Sequence, residues 1–165
     1  MSAGMDHIDT DAMVCSSVKV LAPAMRWAVE AAIKDCNDER LDAIVYESVR
    51  SDELQHIYYQ RGRTVVPPHE TVTNVASAQY GWHFFGLAVD VISASKRWSV
   101  TDAWRHQVTE IFKRHGLSAG AEWPHPDEPH YQWGKCRRSP SDWCRELYAQ
   151  GGLEAVWKEV GAVCG

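Results

Sequence analysis

Four residues in two short stretches have side chains suited to metal-assisted hydrolysis. Residues 80–90 read YGWHFFGLAVD, with His83 and Asp90 on either side of Gly86. Residues 127–133 read DEPHYQW, with Asp127 and His130 on either side of Pro129. Zinc accepts imidazole nitrogen and carboxylate oxygen, and a catalytic zinc site keeps three protein ligands and one open position. His83, Asp90 and His130 supply such a set, and Asp127 adds a carboxylate to act as base. Asp90 is flanked by Val89, Val91 and Ile92, where an unpaired carboxylate is expensive to bury. Its partner is either a metal or an ordinary salt bridge. A single histidine among aromatics is more often packed or on the surface. The weight therefore falls on the combination.

The elements around these residues must bring them together. Leu87 to Ile92 is expected as a strand, with Leu87, Val89 and Val91 on one face and Ala88, Asp90 and Ile92 on the other. His83 and Asp90 are seven residues apart, so a flat strand would point them to opposite faces. A turn or bulge at Gly86 returns both to the same side. Pro129 disfavours helix at Glu128, which leaves Asp127 on a loop while His130 begins a strand. Elsewhere the spacing predicts helices over 22–37, with Pro23 in the first turn, and over 52–60 behind a Ser51 cap. A third helix is expected over 102–115 behind Thr101, ended by Gly116, with Trp104, Val108, Ile111 and Phe112 inward. Strands are expected over 43–47, 117–123 and 130–133. A further helix starts at Ser139-Pro140-Ser141-Asp142 with Trp143 and Leu147 inward, is broken at Gly151-Gly152, and is followed by a short one over 153–160. Residues 1–20 read as a lead-in, and GRTVVPPHETVTN reads as a loop near the site. The expected fold class is α+β, a small antiparallel sheet with helices packed around it.

Bulk properties narrow the function classes. At 165 residues one domain is expected, with a core over about 21–134 and a helical tail over 139–165. The apolar fraction of 45% and eight tryptophans suffice for a packed core. The net charge of −5 is unlike a nucleic-acid binder, so no nucleic-acid partner is expected. No apolar run approaches the roughly 20 residues that span a bilayer, so no stable membrane insertion is expected. The start, MSAGMDHIDTDAMVC, has neither a basic segment nor an apolar core of signal-peptide length. Synthesis in the cytosol without an export signal is the expectation. The five cysteines (Cys15, Cys36, Cys136, Cys144 and Cys164) include no C-x-x-C pair, so reduced, mostly buried thiols are expected.

At the paired motifs the sequence resembles the zinc peptidases that include VanY-type D-alanyl-D-alanine carboxypeptidases and phage L-alanyl-D-glutamate endolysins. Their pattern, S-x-H-x-x-G-x-A-x-D followed by D/E-x-x-H, reads here as Gly81 to Asp90 and Asp127 to His130. Val49-Arg50-Ser51 resembles the family's G-[YF]-R-S turn. Gly62-Arg63-Thr64 and Val72-Thr73-Asn74 resemble segments of the endolysin branch, and the GGLEAVW tail resembles tails in phage relatives. The sequence departs from the pattern at Gly81 for Ser, at Val49 for Gly-aromatic, and at Tyr131-Gln132 for Phe-Glu. It also carries an additional His125. No proposed ligand is lost.

The resemblance implies a hedgehog-like, D-Ala-D-Ala peptidase-like fold. It implies Zn2+ held by His83, Asp90 and His130, with Asp127 as general base and Arg50 on the developing oxyanion or the substrate. Ser51, Gln55, Arg61 and Arg63 are further candidate substrate contacts, although Ser51 also serves as a helix cap. The implied substrate is the stem peptide of peptidoglycan. The endolysin-like segments favour an L-alanyl-D-glutamate endopeptidase of a phage or prophage, monomeric, cytoplasmic until a holin releases it to the periplasm and cell wall. Open beside it are a D-alanyl-D-alanine carboxypeptidase, a non-catalytic zinc-containing wall-binding module, and a zinc-free domain with a buried His/Asp network.

Overall fold

The computed structural model describes residues 10–61 and 77–164. Helix α1, Pro23–Asp38, begins on a proline whose fixed φ suits the first turn, and it buries Met25, Val29, Ala32 and Cys36. Strand β1, Ala43–Glu47, leads to α2, Asp52–Gln60. Ser51 caps α2 by accepting a hydrogen bond from the Leu54 amide at 3.1 Å. Strand β2, Ala88–Ser93, is buried on both faces. Helix α3, Asp102–Arg114, is capped by Thr101, and β3 is Leu117–Ala119. Strand β4, His130–Trp133, precedes α4, Asp142–Glu159, which Ser141 caps. Among the described residues no helix is long and apolar enough to cross a membrane.

The sheet is antiparallel throughout, in the order β1-β2-β4-β3. Helices α1 and α3 pack together against it. Val29, Val89, Val91, Phe112 and Tyr131 share one core, which reaches α4 through Cys144 and Val156. The Phe112 and Tyr131 rings lie 4.3 Å apart. The expected α+β class is the observed one.

Two details differ from the sequence reading. Trp143 does not face inward: its neighbour Cys144 does, and Trp143 is 52% exposed. The cap at Ser141 sets the helical phase one residue away from the expected one. Beyond β3 the chain turns at Gly120–Glu122 instead of extending to Trp123. The break expected at Gly151-Gly152 is present: the backbone of α4 leaves the helical region at Gly152, where φ is 70°. The segments 62–64 and 72–74, and Arg63 with them, lie outside the described residues.

Candidate metal and catalytic site

A row of three polar residues crosses the sheet. Asp90 on β2 stands directly opposite His130 on β4, and opposite Glu47 on β1. Residues opposite one another in adjacent strands share a face, so all three side chains project together. Glu47 reaches this row through a bulge: the register shifts between Val45 and Glu47, where an uninterrupted ladder would place Tyr46 opposite Asp90. His83 comes from outside the sheet. The turn over 81–86 ends at Gly86, whose φ of 68° a side chain would oppose. That reversal brings His83 Nε2 to 3.3 Å from Asp90 Oδ1. His130 Nδ1 approaches the same oxygen at 3.7 Å.

This geometry fits a metal ion. The candidate donor atoms of His83, Asp90 and His130 all lie within 4.8 Å of one another. Among the described residues Asp90 Oδ1 is buried and makes no hydrogen bond, a costly state for a carboxylate oxygen without a cation. The far nitrogen of each imidazole is already engaged. His83 Nδ1 meets the Ser48 carbonyl at 2.8 Å, and His130 Nε2 meets Gln132 Oε1 at 2.8 Å. Each contact fixes a ring and leaves the other nitrogen facing Asp90, as in metal sites whose histidines are oriented by outer partners. The Gln132 amide in turn donates to the Arg137 carbonyl at 2.9 Å, which also accepts from the Trp82 indole at 2.7 Å. A glutamate at 132 would have no N–H for that carbonyl. The departure from Phe-Glu thus has a local use.

Arg50 braces the row. Its Nε donates to Glu47 Oε1, its Nη1 to Gln55 Oε1 at 3.0 Å and its Nη2 to Asp90 Oδ2 at 3.4 Å. Asp90 is therefore neutralised on one oxygen and open on the other. Burial would raise its carboxyl, but His83, His130 and Arg50 hold it well below the usual carboxylate range. Burial would likewise lower His130, and the carboxylates of Asp90 and Asp127 raise it instead.

Asp127 stands beside this cluster, its Oδ2 3.8 Å from His130 Nδ1 and its side chain 52% exposed. Partial desolvation and the nearby Asp90 charge raise its carboxyl above the ordinary value, against the pull of His130, His83 and Arg50. That direction suits a base. Its position depends on Gly120, whose carbonyl accepts from the Asp127 amide at 2.9 Å. A Cβ on Gly120 would lie 2.4 Å from the Asp127 carbonyl and 3.1 Å from His130 Cβ. His83, His130, Asp127 and Arg50 open onto a cleft of about 200 Å³, walled also by Trp82, Trp123 and Arg138.

The structure thus brings together His83, Asp90, His130, Asp127 and Arg50. Gln55 is buried beneath Arg50, while Ser51 is occupied as a helix cap. Arg61 turns to Thr10 and the Tyr58 ring and does not line the cleft. His125 is exposed on the loop before Asp127. Glu47, Ser48 and Gly120 went unmarked in the sequence. Glu47 ends an ordinary strand pattern, Ser48 acts through its carbonyl, and Gly120 matters only through a contact made in the fold.

A family model described as D-alanyl-D-alanine carboxypeptidase matches residues 75–133, a span that holds both motifs. The fold is similar to that of the Serratia marcescens L-Ala D-Glu endopeptidase ChiX, at 18% sequence identity and a TM-score of 0.52, covering 76% of this chain and 93% of that one. It is also similar to a variant of the vancomycin resistance D,D-pentapeptidase VanY from a VanB-type resistance cassette, in complex with Zn(II). There the identity is 16% and the TM-score 0.51, with 80% of each chain covered. No curated protein matches the chain.

Proposed function

We propose that this chain, which belongs to the VanY-type and L-Ala-D-Glu peptidase family of metallopeptidases, is a zinc-dependent peptidoglycan hydrolase that cleaves the stem peptide as an L-alanyl-D-glutamate endopeptidase. The observation that carries the metal-dependent reading is Asp90 Oδ1, buried without a hydrogen bond between two imidazoles whose far nitrogens are tied down. The cleft supports the endopeptidase reading. It shares Trp82 and Ser139 with a larger neighbouring cavity, leaving room for substrate beyond the scissile bond. The competing reading, a D-alanyl-D-alanine carboxypeptidase, calls for a cation to grip a terminal carboxylate. Arg50 and Arg138 both line the cleft, so the products of digestion decide between the two readings.

Zinc held by His83, Asp90 and His130 supplies a Lewis acid for the scissile carbonyl and an activated water. The chain's own residues do the rest. Ser48 and Gln132 hold the imidazoles in the required orientation, and Arg50 keeps Asp90 ionised. Asp127 takes the proton of the attacking water and returns it to the leaving amine. Among the described residues Arg50 makes three hydrogen bonds with its five N–H groups, which leaves donors for a developing oxyanion.

Digestion of purified peptidoglycan, with and without chelator, followed by mass spectrometry, tests this reading. New amino termini at D-Glu, lost with chelator and restored by zinc, are expected. Release of terminal D-Ala moves the assignment to carboxypeptidase. Binding of peptidoglycan by folded, zinc-loaded protein without cleavage moves it to a wall-binding module.

A further inference from the structure

A second cavity among the described residues lies outside the catalytic cleft. It measures about 660 Å³ and sits between the segment 135–141 and helix α4. That volume falls in the ordinary range of ligand sites. Trp82 and Ser139 belong to both cavities, so the two form one continuous depression. The larger cavity is lined by Lys135, Arg137 and Lys158 against the single carboxylate of Glu159, and Lys158 also pairs loosely with the exposed Glu154 at 3.7 Å outside the lining. This local excess of positive charge stands out in a chain of net charge −5. Trp143, the tryptophan that faces solvent where a core position was expected, stands at its wall. Among the described residues the Arg137 guanidinium has no side-chain partner, while the carbonyl of the same residue steadies Trp82 and Gln132.

We propose that this cavity is a substrate subsite for the carboxylate-bearing arm of the stem peptide, held by Lys158, Lys135 and Arg137 against the Trp143 indole. The inference rests on the peptidase reading above. Stem peptides carry their free carboxylates on the C-terminal side of the L-Ala–D-Glu bond, and exposed cations attract them without immobilising the product. Occupation of the cavity places the rest of the peptide across Trp82 into the catalytic cleft. The subsite therefore selects substrates longer than the residues at the scissile bond.

The test uses zinc-loaded full-length protein and an uncrosslinked stem pentapeptide, which contains both candidate bonds. Lys158 lies on α4, away from the metal ligands, and Lys158→Glu reverses one charge of the cavity. Arg137→Ala removes the guanidinium and keeps the carbonyl. Each exposed charge contact is worth a fraction of a kcal/mol, so charge reversal should raise KM about three- to tenfold with kcat within about twofold. Lys158→Arg should restore KM, and added salt should raise KM for the wild type and narrow the gap to Lys158→Glu. In parallel, tryptophan fluorescence follows binding of the pentapeptide to chelator-treated protein. Unchanged KM and unchanged binding in both variants would overturn the subsite while leaving the peptidase intact. Binding weakened by Lys158→Glu, in a wild-type protein that cleaves nothing, would keep the subsite and overturn the peptidase. A wild type that neither binds nor cleaves the pentapeptide overturns both.

Discussion

Replacing Arg50 by alanine separates its structural work from its work on substrate. The guanidinium bridges two carboxylates of the row, Glu47 and Asp90, and bonds Gln55. The Glu47 side chain is 2% exposed, and its other hydrogen bond comes from the Tyr58 hydroxyl at 3.5 Å. Removing one member of a buried ion pair costs about 3–5 kcal/mol, because the other charge is left in a poor solvent. The Arg50 side chain is 16% exposed, so water reaches part of the vacated space and the expected loss sits near the lower end, about 3 kcal/mol. In a chain of this size that corresponds to about 6–12 °C in Tm. The assay is urea unfolding of chelator-treated protein, followed by tryptophan fluorescence. Glu47→Gln combined with Arg50→Met removes both charges and should recover most of the loss. A drop below about 1 kcal/mol in Arg50→Ala, or a double variant no better than the single, would refute the buried pair. Residual turnover of the refolded, zinc-loaded double variant then reports what Arg50 does for Asp90 and for substrate together, apart from the Glu47 pair.

Other outcomes follow from the same geometry. Asp127→Asn should keep zinc and the melting temperature and lower kcat by about two to four orders of magnitude; native turnover in that variant removes Asp127 as the base. Gly120→Ala should lower kcat while zinc stays bound, because the new Cβ displaces the Asp127 backbone from 2.4 Å; wild-type kinetics would show that the loop yields freely. His130 has a raised pKa in the metal-free protein, so its contribution to stability is full below about 6.5 and is lost as pH rises through its folded value. Zinc needs the neutral imidazole, so its stabilising increment runs the other way. The melting-temperature gap between zinc-loaded and metal-free protein should widen from about pH 6 to about pH 8, and a constant gap would contradict the ligand assignment. Asp42 accepts from Ser93 Oγ, Ser95 Oγ and the Ser95 amide, which lowers its pKa to about 2. Its contribution is present above the ordinary value of 3.8 and is lost as pH falls toward 2. Asp42→Asn should therefore lower urea stability at neutral pH and have no effect near pH 2; an equal loss at both would assign the effect to shape.

Much of the site was legible because its residues are unusual where they stand. An aspartate among Val89, Val91 and Ile92 demands a partner, and a glycine between His83 and Asp90 permits the turn that supplies one. Helix starts were legible from Ser51, Thr101 and Ser141, whose hydroxyls cap backbone amides. Positions set by tertiary contact were not. Glu47 becomes part of the row through a bulge that a five-residue strand pattern does not announce. Trp143 and Cys144 are both apolar at adjacent positions, and the cap decides which of them turns inward. Arg105 and Thr109 are buried on α3 because the Val91 carbonyl and the Tyr131 hydroxyl await them across the core.

The row Glu47–Asp90–His130 also bears on how the chain acquires its shape. A slip of one residue between β2 and β4 would send His130 to the opposite face and dissolve the ligand set. An ion bound there thus rewards one register alone and acts as a gauge on the pairing of two strands separated by some forty residues of sequence. Arg50, bonded to both Glu47 and Asp90, is the counter-ion that holds the two carboxylates of this row side by side without metal, so the ion selects the register of β4 against a pair of strands already braced.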